Sequence, residues 1–122
     1  MKKILVVEDD RMLASAYKAK LGKLRYDVVM AGDGLEALEV LRRFKPELIL
    51  LDLVLPKKDG FEVLAEIKAN PAWKKIPVLV ASNLGQESDV KRAMGLGAVG
   101  YIIKTDTSME DLTLALGSIL KR

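Results

Sequence analysis

The stretch Glu47-Leu48-Ile49-Leu50-Leu51-Asp52-Leu53-Val54-Leu55-Pro56-Lys57-Lys58-Asp59-Gly60 decides how this chain folds. A short apolar run without alternation has no solvent face, so it reads as a strand covered on both sides. Asp52 closes the run, and Pro56 and Asp59-Gly60 then break the chain. In open α/β sheets, ligands bind at the carboxyl ends of the strands. A second such run, Ile4-Leu5-Val6-Val7, is closed by Glu8-Asp9-Asp10. If the two strands are parallel neighbours, their carboxylates converge on one sheet edge. Such crowding is unfavourable unless a cation holds the acids together.

Outward from these two runs, the pattern repeats. Expected strands are Ile4–Glu8, Asp27–Ala31, Leu48–Asp52, Val78–Ser82 and Val99–Lys104. Helical patterns lie between them. The first spans about Arg11 to Leu24, with Leu13, Tyr17, Leu21 and Leu24 on one face. The second follows Asp33-Gly34, carries Leu35, Leu38 and Leu41, and stops before Lys45-Pro46. The third starts behind Asp59 as N-cap, with Phe61, Leu64 and Ile67, and ends at Asn70-Pro71. The fourth, about Gln86 to Leu96, is the weakest, with few large apolar residues and an internal Gly95. The fifth starts at Ser108 with Asp111 in capping-box position, and Leu112, Ala115, Leu116, Ile119 and Leu120 form its stripe. Alternating strand and helix over 122 residues predicts one α/β domain over 1–122. The architecture expected is a five-stranded parallel sheet in flavodoxin-like order 2-1-3-4-5 with helices on both faces. Its switch point then falls between the strands ending at Glu8-Asp9 and at Asp52.

Composition narrows the chemistry. Half the residues are hydrophobic, 30% are charged, and the net charge is +3. The lysines and arginines are scattered in sequence without interleaved aromatics, which argues against direct nucleic-acid binding. No cysteine or histidine occurs. That removes disulfides, thiolate nucleophiles, Ser-His-Asp triads and histidine-ligated zinc. No apolar run approaches the length of a membrane span or a signal-peptide core. A cytoplasmic setting is expected.

The remaining chemistry sits at the expected strand ends. Asp9 or Asp10 can serve as a helix N-cap, but capping employs one acid, not three. Carboxylates and backbone carbonyls suit a hard cation such as Mg²⁺. Lys104 can reach solvent or pair with a carboxylate or phosphate at the same edge. Ser82 can cap the fourth helix or donate to an anion in the pocket.

This set of residues resembles the receiver domain of two-component response regulators. The matching segments are Ile4-Leu5-Val6-Val7-Glu8-Asp9-Asp10, Leu50-Leu51-Asp52-Leu53-Val54-Leu55-Pro56 with Asp59-Gly60, Pro77-Val78-Leu79-Val80-Ala81-Ser82, and Gly97-Ala98-Val99-Gly100-Tyr101-Ile102-Ile103-Lys104. The resemblance covers the whole chain. It implies that Asp52 accepts a phosphoryl group. Asp9, Asp52 and the Val54 carbonyl would ligate Mg²⁺, with Glu8 acting directly or through water. Ser82 and Lys104 would bind the phosphoryl group, and Ser82 and Tyr101 would be the switch residues. It implies a sensor histidine kinase or phosphotransfer protein as donor. The output would be binding of a downstream protein through the helix 4–strand 5–helix 5 face, rather than enzymatic turnover. A monomer or a phosphorylation-dependent dimer is expected.

Two rivals stand beside this reading. An aspartyl-nucleophile phosphatase resembles an Asp-x-Asp arrangement, but Val54 occupies the second acid's position. A scaffold that never takes phosphate would not need the acidic pocket, Ser82 and Lys104. Two departures from the receiver pattern are visible. Thr105 follows Lys104 where receivers usually carry proline, so a trans peptide is expected, since a cis non-proline bond costs about 2.5–4 kcal/mol. The loop Asn83-Leu84-Gly85 is also unusual. In receivers, the positions two after the phosphoacceptor and two after the hydroxyl residue orient the hydrolytic water. Here they are Val54 and Leu84, which cannot hydrogen-bond through their side chains, so a long-lived phosphoryl group is expected. Gly95-Leu96-Gly97-Ala98-Val99-Gly100 matches G-x-G-x-x-G but ends a helix and opens a strand, the reverse of a dinucleotide site. Trp73, Pro71 and Pro77 fall in a connection, where packing is their expected role.

Overall fold

The computed structural model describes residues 1–121. Its strands are β1 (Lys3–Val7), β2 (Asp27–Ala31), β3 (Leu48–Leu51), β4 (Val78–Ser82) and β5 (Gly100–Ile103). All pair in parallel, in the order β2-β1-β3-β4-β5. The helices are α1 (Arg11–Lys23), α2 (Gly34–Leu41), α3 (Gly60–Ala69), α4 (Glu87–Gly95) and α5 (Met109–Leu120), with a 3₁₀ turn at Lys104–Asp106. The flavodoxin-like order predicted from the alternating pattern is the order found.

Strand side chains alternate between two cores. Ile4, Val6, Leu48, Leu50 and Leu79 meet Tyr17 and Leu21 of α1 and Leu112, Leu116 and Leu120 of α5. Leu5, Val7, Ile49, Leu51 and Val80 meet α2, α3 and the single buried α4 residue, Ala93. Each fully buried Leu, Ile or Val contributes roughly 1.5–3 kcal/mol, and polar residues enter the central strands only at their ends, as Lys3 and Ser82 do.

Capping fixes where the helices begin. Asp10, Asp33, Asp59 and Ser108 each accept the N–H three residues on, at 3.1, 2.8, 3.0 and 3.0 Å respectively. Helix α4 has Gln86 at its N-cap and no side-chain cap. Two expected core residues are exposed. Leu24 lies just past the end of α1, and Leu35 sits on the outer face of α2, whose inner face is Ala37, Leu38, Val40 and Leu41. Gly97, at φ +110, ends α4 and its Cβ position lies 3.1 Å from Lys68 Cγ, so the glycine-rich run is a helix stop. Trp73 packs against the core beside α3. Among the described residues no helix is long and apolar enough to cross a membrane.

Candidate functional site

The central strands stop one residue short of their acids. Glu8 N–H still donates to Ala31 O at 3.0 Å, and Asp52 N–H to Val7 O at 3.1 Å. The backbone stays tied to the sheet while the side chains turn into the pocket beyond it. The predicted strands ended on Glu8, Asp52 and Lys104; the observed strands end one residue earlier, and Lys104 opens the 3₁₀ turn. Val99 also precedes β5, although its N–H reaches Val78 O at 2.9 Å.

Glu8 and Asp52 are 4% and 6% exposed, and Asp9 is exposed beside them. One carboxylate oxygen from each lies within 4.8 Å of the others. Lys104 Nζ sits 2.6 Å from Glu8 Oε1 and 2.8 Å from Asp52 Oδ2. Asp52 Oδ1 accepts the Val54 N–H at 3.2 Å, and Glu8 Oε2 accepts the Asp10 N–H at 3.2 Å. Asp10 itself caps α1, so of the two capping candidates it is Asp9 that joins the pocket.

One ammonium cannot neutralise two buried carboxylates. Burial pulls the Lys104 ammonium down, but its hydrogen bonds to Asp52 and Glu8 outweigh this and hold it above the usual lysine value. Burial raises Glu8; the Lys104 hydrogen bond opposes this, the Asp52 charge reinforces it, and the net direction is up. With Asp9 included, three carboxylates and one ammonium leave two negative charges. An all-oxygen cluster with that excess fits a hard divalent cation.

Ser82 is 0% exposed at the end of β4. Its Oγ accepts the Leu84 N–H at 3.3 Å, so it caps its own loop and not α4. Tyr101 OH donates to Leu84 O at 2.5 Å. The two expected switch residues are thus joined through the backbone of one residue, Leu84, by its N–H and its carbonyl. Burial raises the Tyr101 hydroxyl, with Asp89 and Asp52 charges adding to it. Val54 is 55% exposed beside the pocket, and Leu84 is half-buried. The Lys104-Thr105 peptide is trans, as expected, with no cis bond among the described residues.

The contributions of four residues escaped the reading of residue types. The Leu84 peptide acts through backbone atoms, which leave no signature in sequence. Gly60 lies where a Cβ would approach Asp52 O to 2.3 Å, and at Gly34 a Cβ would meet Lys58 O at 1.9 Å. Both follow a capping Asp, so the repeated Asp-Gly pair was the available signal. Tyr17 is buried under the pocket, close enough to feel Lys104, Glu8 and Asp52.

Comparisons with known proteins agree with this geometry. The response regulator receiver domain model matches residues 4–116. A probable transcriptional regulator, ycf27 of Porphyridium aerugineum, is 35% identical over 120 residues, covering 98% of this chain and 48% of that protein. The chain spans about half the length of the curated relatives it matches. The BeF3-activated N-terminal receiver domain of Klebsiella pneumoniae RstA superposes with a TM-score of 0.91 at 35% identity, over 99% of this chain and 100% of that one. The Mn²⁺-bound response regulator Rcp1 gives 0.85 at 36% identity, over 96% and 91%. Sheet order, the acidic edge with its bridging lysine, and these matches over nearly the full length agree: the chain belongs to the receiver domain family of two-component response regulators.

Proposed function

We propose that the chain accepts a phosphoryl group on Asp52 from a partner phosphohistidine, in a Mg²⁺-dependent reaction, and passes the change on by binding. The observation that carries this reading is Lys104 held between Glu8 and Asp52, with Asp9 in the same cluster. An Asp52 oxygen attacks phosphorus as the bond to the donor nitrogen breaks, giving an acyl phosphate. Glu8, Asp9 and Asp52, with the Val54 carbonyl by family resemblance, would hold the cation. Bound there, Mg²⁺ would offset charge on the phosphoryl oxygens. Lys104 supplies a further positive charge at the same point. Ser82 Oγ accepts from Leu84, so its own hydrogen remains available to a phosphoryl oxygen. The Mn²⁺-bound relative supports a divalent cation at this kind of site.

Drawing Ser82 toward the phosphoryl group disturbs Leu84, whose N–H bonds Ser82 and whose carbonyl holds Tyr101 OH. That links the pocket to the α4-β5-α5 face, where the downstream protein would bind. Coupling of about 1–3 kcal/mol suffices to shift such a population. The donor would be a sensor histidine kinase or phosphotransfer protein, and the output a binding event with no turnover of its own.

Incubation with acetyl phosphate and Mg²⁺, read by intact mass, tests the assignment. Wild type should gain one phosphoryl group and Asp52→Asn none. Asp9→Asn should lose the Mg²⁺-induced rise in melting temperature. Full labelling of Asp52→Asn, or an unchanged Mg²⁺ response in Asp9→Asn, would contradict the respective role.

A further inference from the structure

At the opposite edge of the sheet, where strands begin, the turns before β3 and β4 and the end of α5 enclose a groove of about 600 Å³. Its floor is apolar, with Pro46, Ile76 and Leu120 buried. Its rim carries Lys2, Lys45 and Lys75, all exposed. Among the described residues the only acid in its wall, Glu47, is engaged by the Lys3 backbone N–H. Lys2 Nζ donates to Leu120 O at 2.9 Å. Lys45 and Lys75 enter no ion pair among the described residues. Arg43 and Lys74 flank the groove in sequence and add to its positive field.

A lysine beside a helix C-terminus is ordinary, and Lys2 has that role at α5. That role does not account for a recessed apolar floor with unpaired cations above it. We infer that this groove docks a short acidic segment of a partner protein, one whose carboxylates alternate with apolar side chains. The apolar side chains lose water against Pro71, Pro77 and Ile119, which stay accessible over that floor, while the carboxylates meet Lys45 and Lys75. Proline at 46, 71 and 77 restricts the groove walls, so little ordering accompanies binding. Single-stranded nucleic acid is disfavoured because among the described residues the groove offers no aromatic platform for bases. An anionic membrane is disfavoured because a flat surface cannot reach the recessed floor.

The inference does not depend on phosphoryl transfer. A labelled eight-residue peptide alternating glutamate and leucine serves as probe, with anisotropy as readout. Its twin carries glutamine in place of glutamate. The acidic peptide should bind wild type, and the double variant Lys45→Glu/Lys75→Glu should bind it about tenfold more weakly, or about 1.4 kcal/mol. The glutamine twin should bind more weakly than the acidic peptide. Acetyl phosphate should label the double variant at Asp52 as it labels wild type, which separates failure here from failure at the acidic pocket. No binding of the acidic peptide, or equal affinity for its twin or for the double variant, would overturn the inference. So would tighter binding of a single-stranded oligonucleotide or phosphatidylserine vesicles than of the peptide.

Discussion

The two edges of one sheet treat charge in opposite ways. Where strands end, Glu8 and Asp52 are buried and share Lys104. Where strands begin, Lys45, Lys74 and Lys75 stand in water without ion pairs among the described residues. A buried charge stripped of its partner is costly, whereas a solvated one is nearly neutral for the fold. The first edge is therefore sensitive to single atoms, and the second can change sign with little effect on stability.

The largest test of that contrast removes the bridging cation. Lys104→Met leaves two buried carboxylates facing each other and should lower metal-free stability by about 3–5 kcal/mol. Mg²⁺ should then restore more stability to the variant than it adds to wild type. Thermal melts in chelator and in Mg²⁺ measure both, and Lys75→Met should leave the chelator melt nearly unmoved. Equal metal-free melting of Lys104→Met and wild type would remove the contrast.

A second test reads the buried side of the same pocket through pH. Burial pushes the Tyr17 hydroxyl up to about 12; Lys104 opposes this, and Glu8 and Asp52 add to it. The unfolded chain has its tyrosines at about 10, so the fold favours the neutral phenol. This contribution is complete below about pH 10 and is lost as pH rises through about 12, a total on the order of 3 kcal/mol. Tyr17→Phe has no proton to lose, so its melting temperature should fall less steeply across that window. Identical slopes would mean that burial does not hold the Tyr17 hydroxyl above its ordinary value.

Glycines sharpen the comparison further. Gly60→Ala forces a Cβ against the Asp52 carbonyl and should cost about 1–3 kcal/mol, with reduced labelling of Asp52. Gly22, in the last turn of α1, meets no atom beyond its chain neighbours and its own helix backbone within 4 Å of its Cβ position. Gly22→Ala should stabilise by about 0.5–1 kcal/mol, since alanine favours helix. Denaturant midpoints of the two variants should move in opposite directions. A last expected effect is kinetic and concerns water. Val54→Asn or Leu84→Glu places a hydrogen-bonding group beside the pocket and should speed loss of the phosphoryl group by roughly tenfold, about 1.4 kcal/mol of barrier. Decay of the wild-type phosphoprotein within seconds, or unchanged lifetimes in both variants, would rule out shielding by these side chains.

Much of this was readable from residue types. Strands such as Leu48–Leu51 announce themselves because a surface covered on both faces admits only apolar residues. The acids and Lys104 were legible because charge at the ends of such runs is unusual. What sequence left open was decided in three dimensions. Asp9 and Asp10 are chemically alike, and only the direction of α1 separates cap from pocket. Leu24 and Leu35 fit the periodic pattern but lie past or around the edge of the buried face. The basic groove was invisible because its lysines are far apart in the chain and read as scattered charge. The Leu84 bridge is made of peptide atoms common to every residue.

The reach of Lys104 also has a consequence in time. Its partner Glu8 lies 96 positions earlier, and β5, which leads into Lys104, occupies the edge of the sheet farthest along from β1. Contacts of such separation form late, because the intervening chain must already be ordered. During synthesis the N-terminal strands emerge first, so the acids of the pocket precede their counter-charge out of the ribosome. A nascent chain that has not yet made β5 contains Asp52 but lacks the finished pocket. On the proposed reading the site would be complete only when the last strand docks, so a half-made chain would lack Lys104 between Glu8 and Asp52.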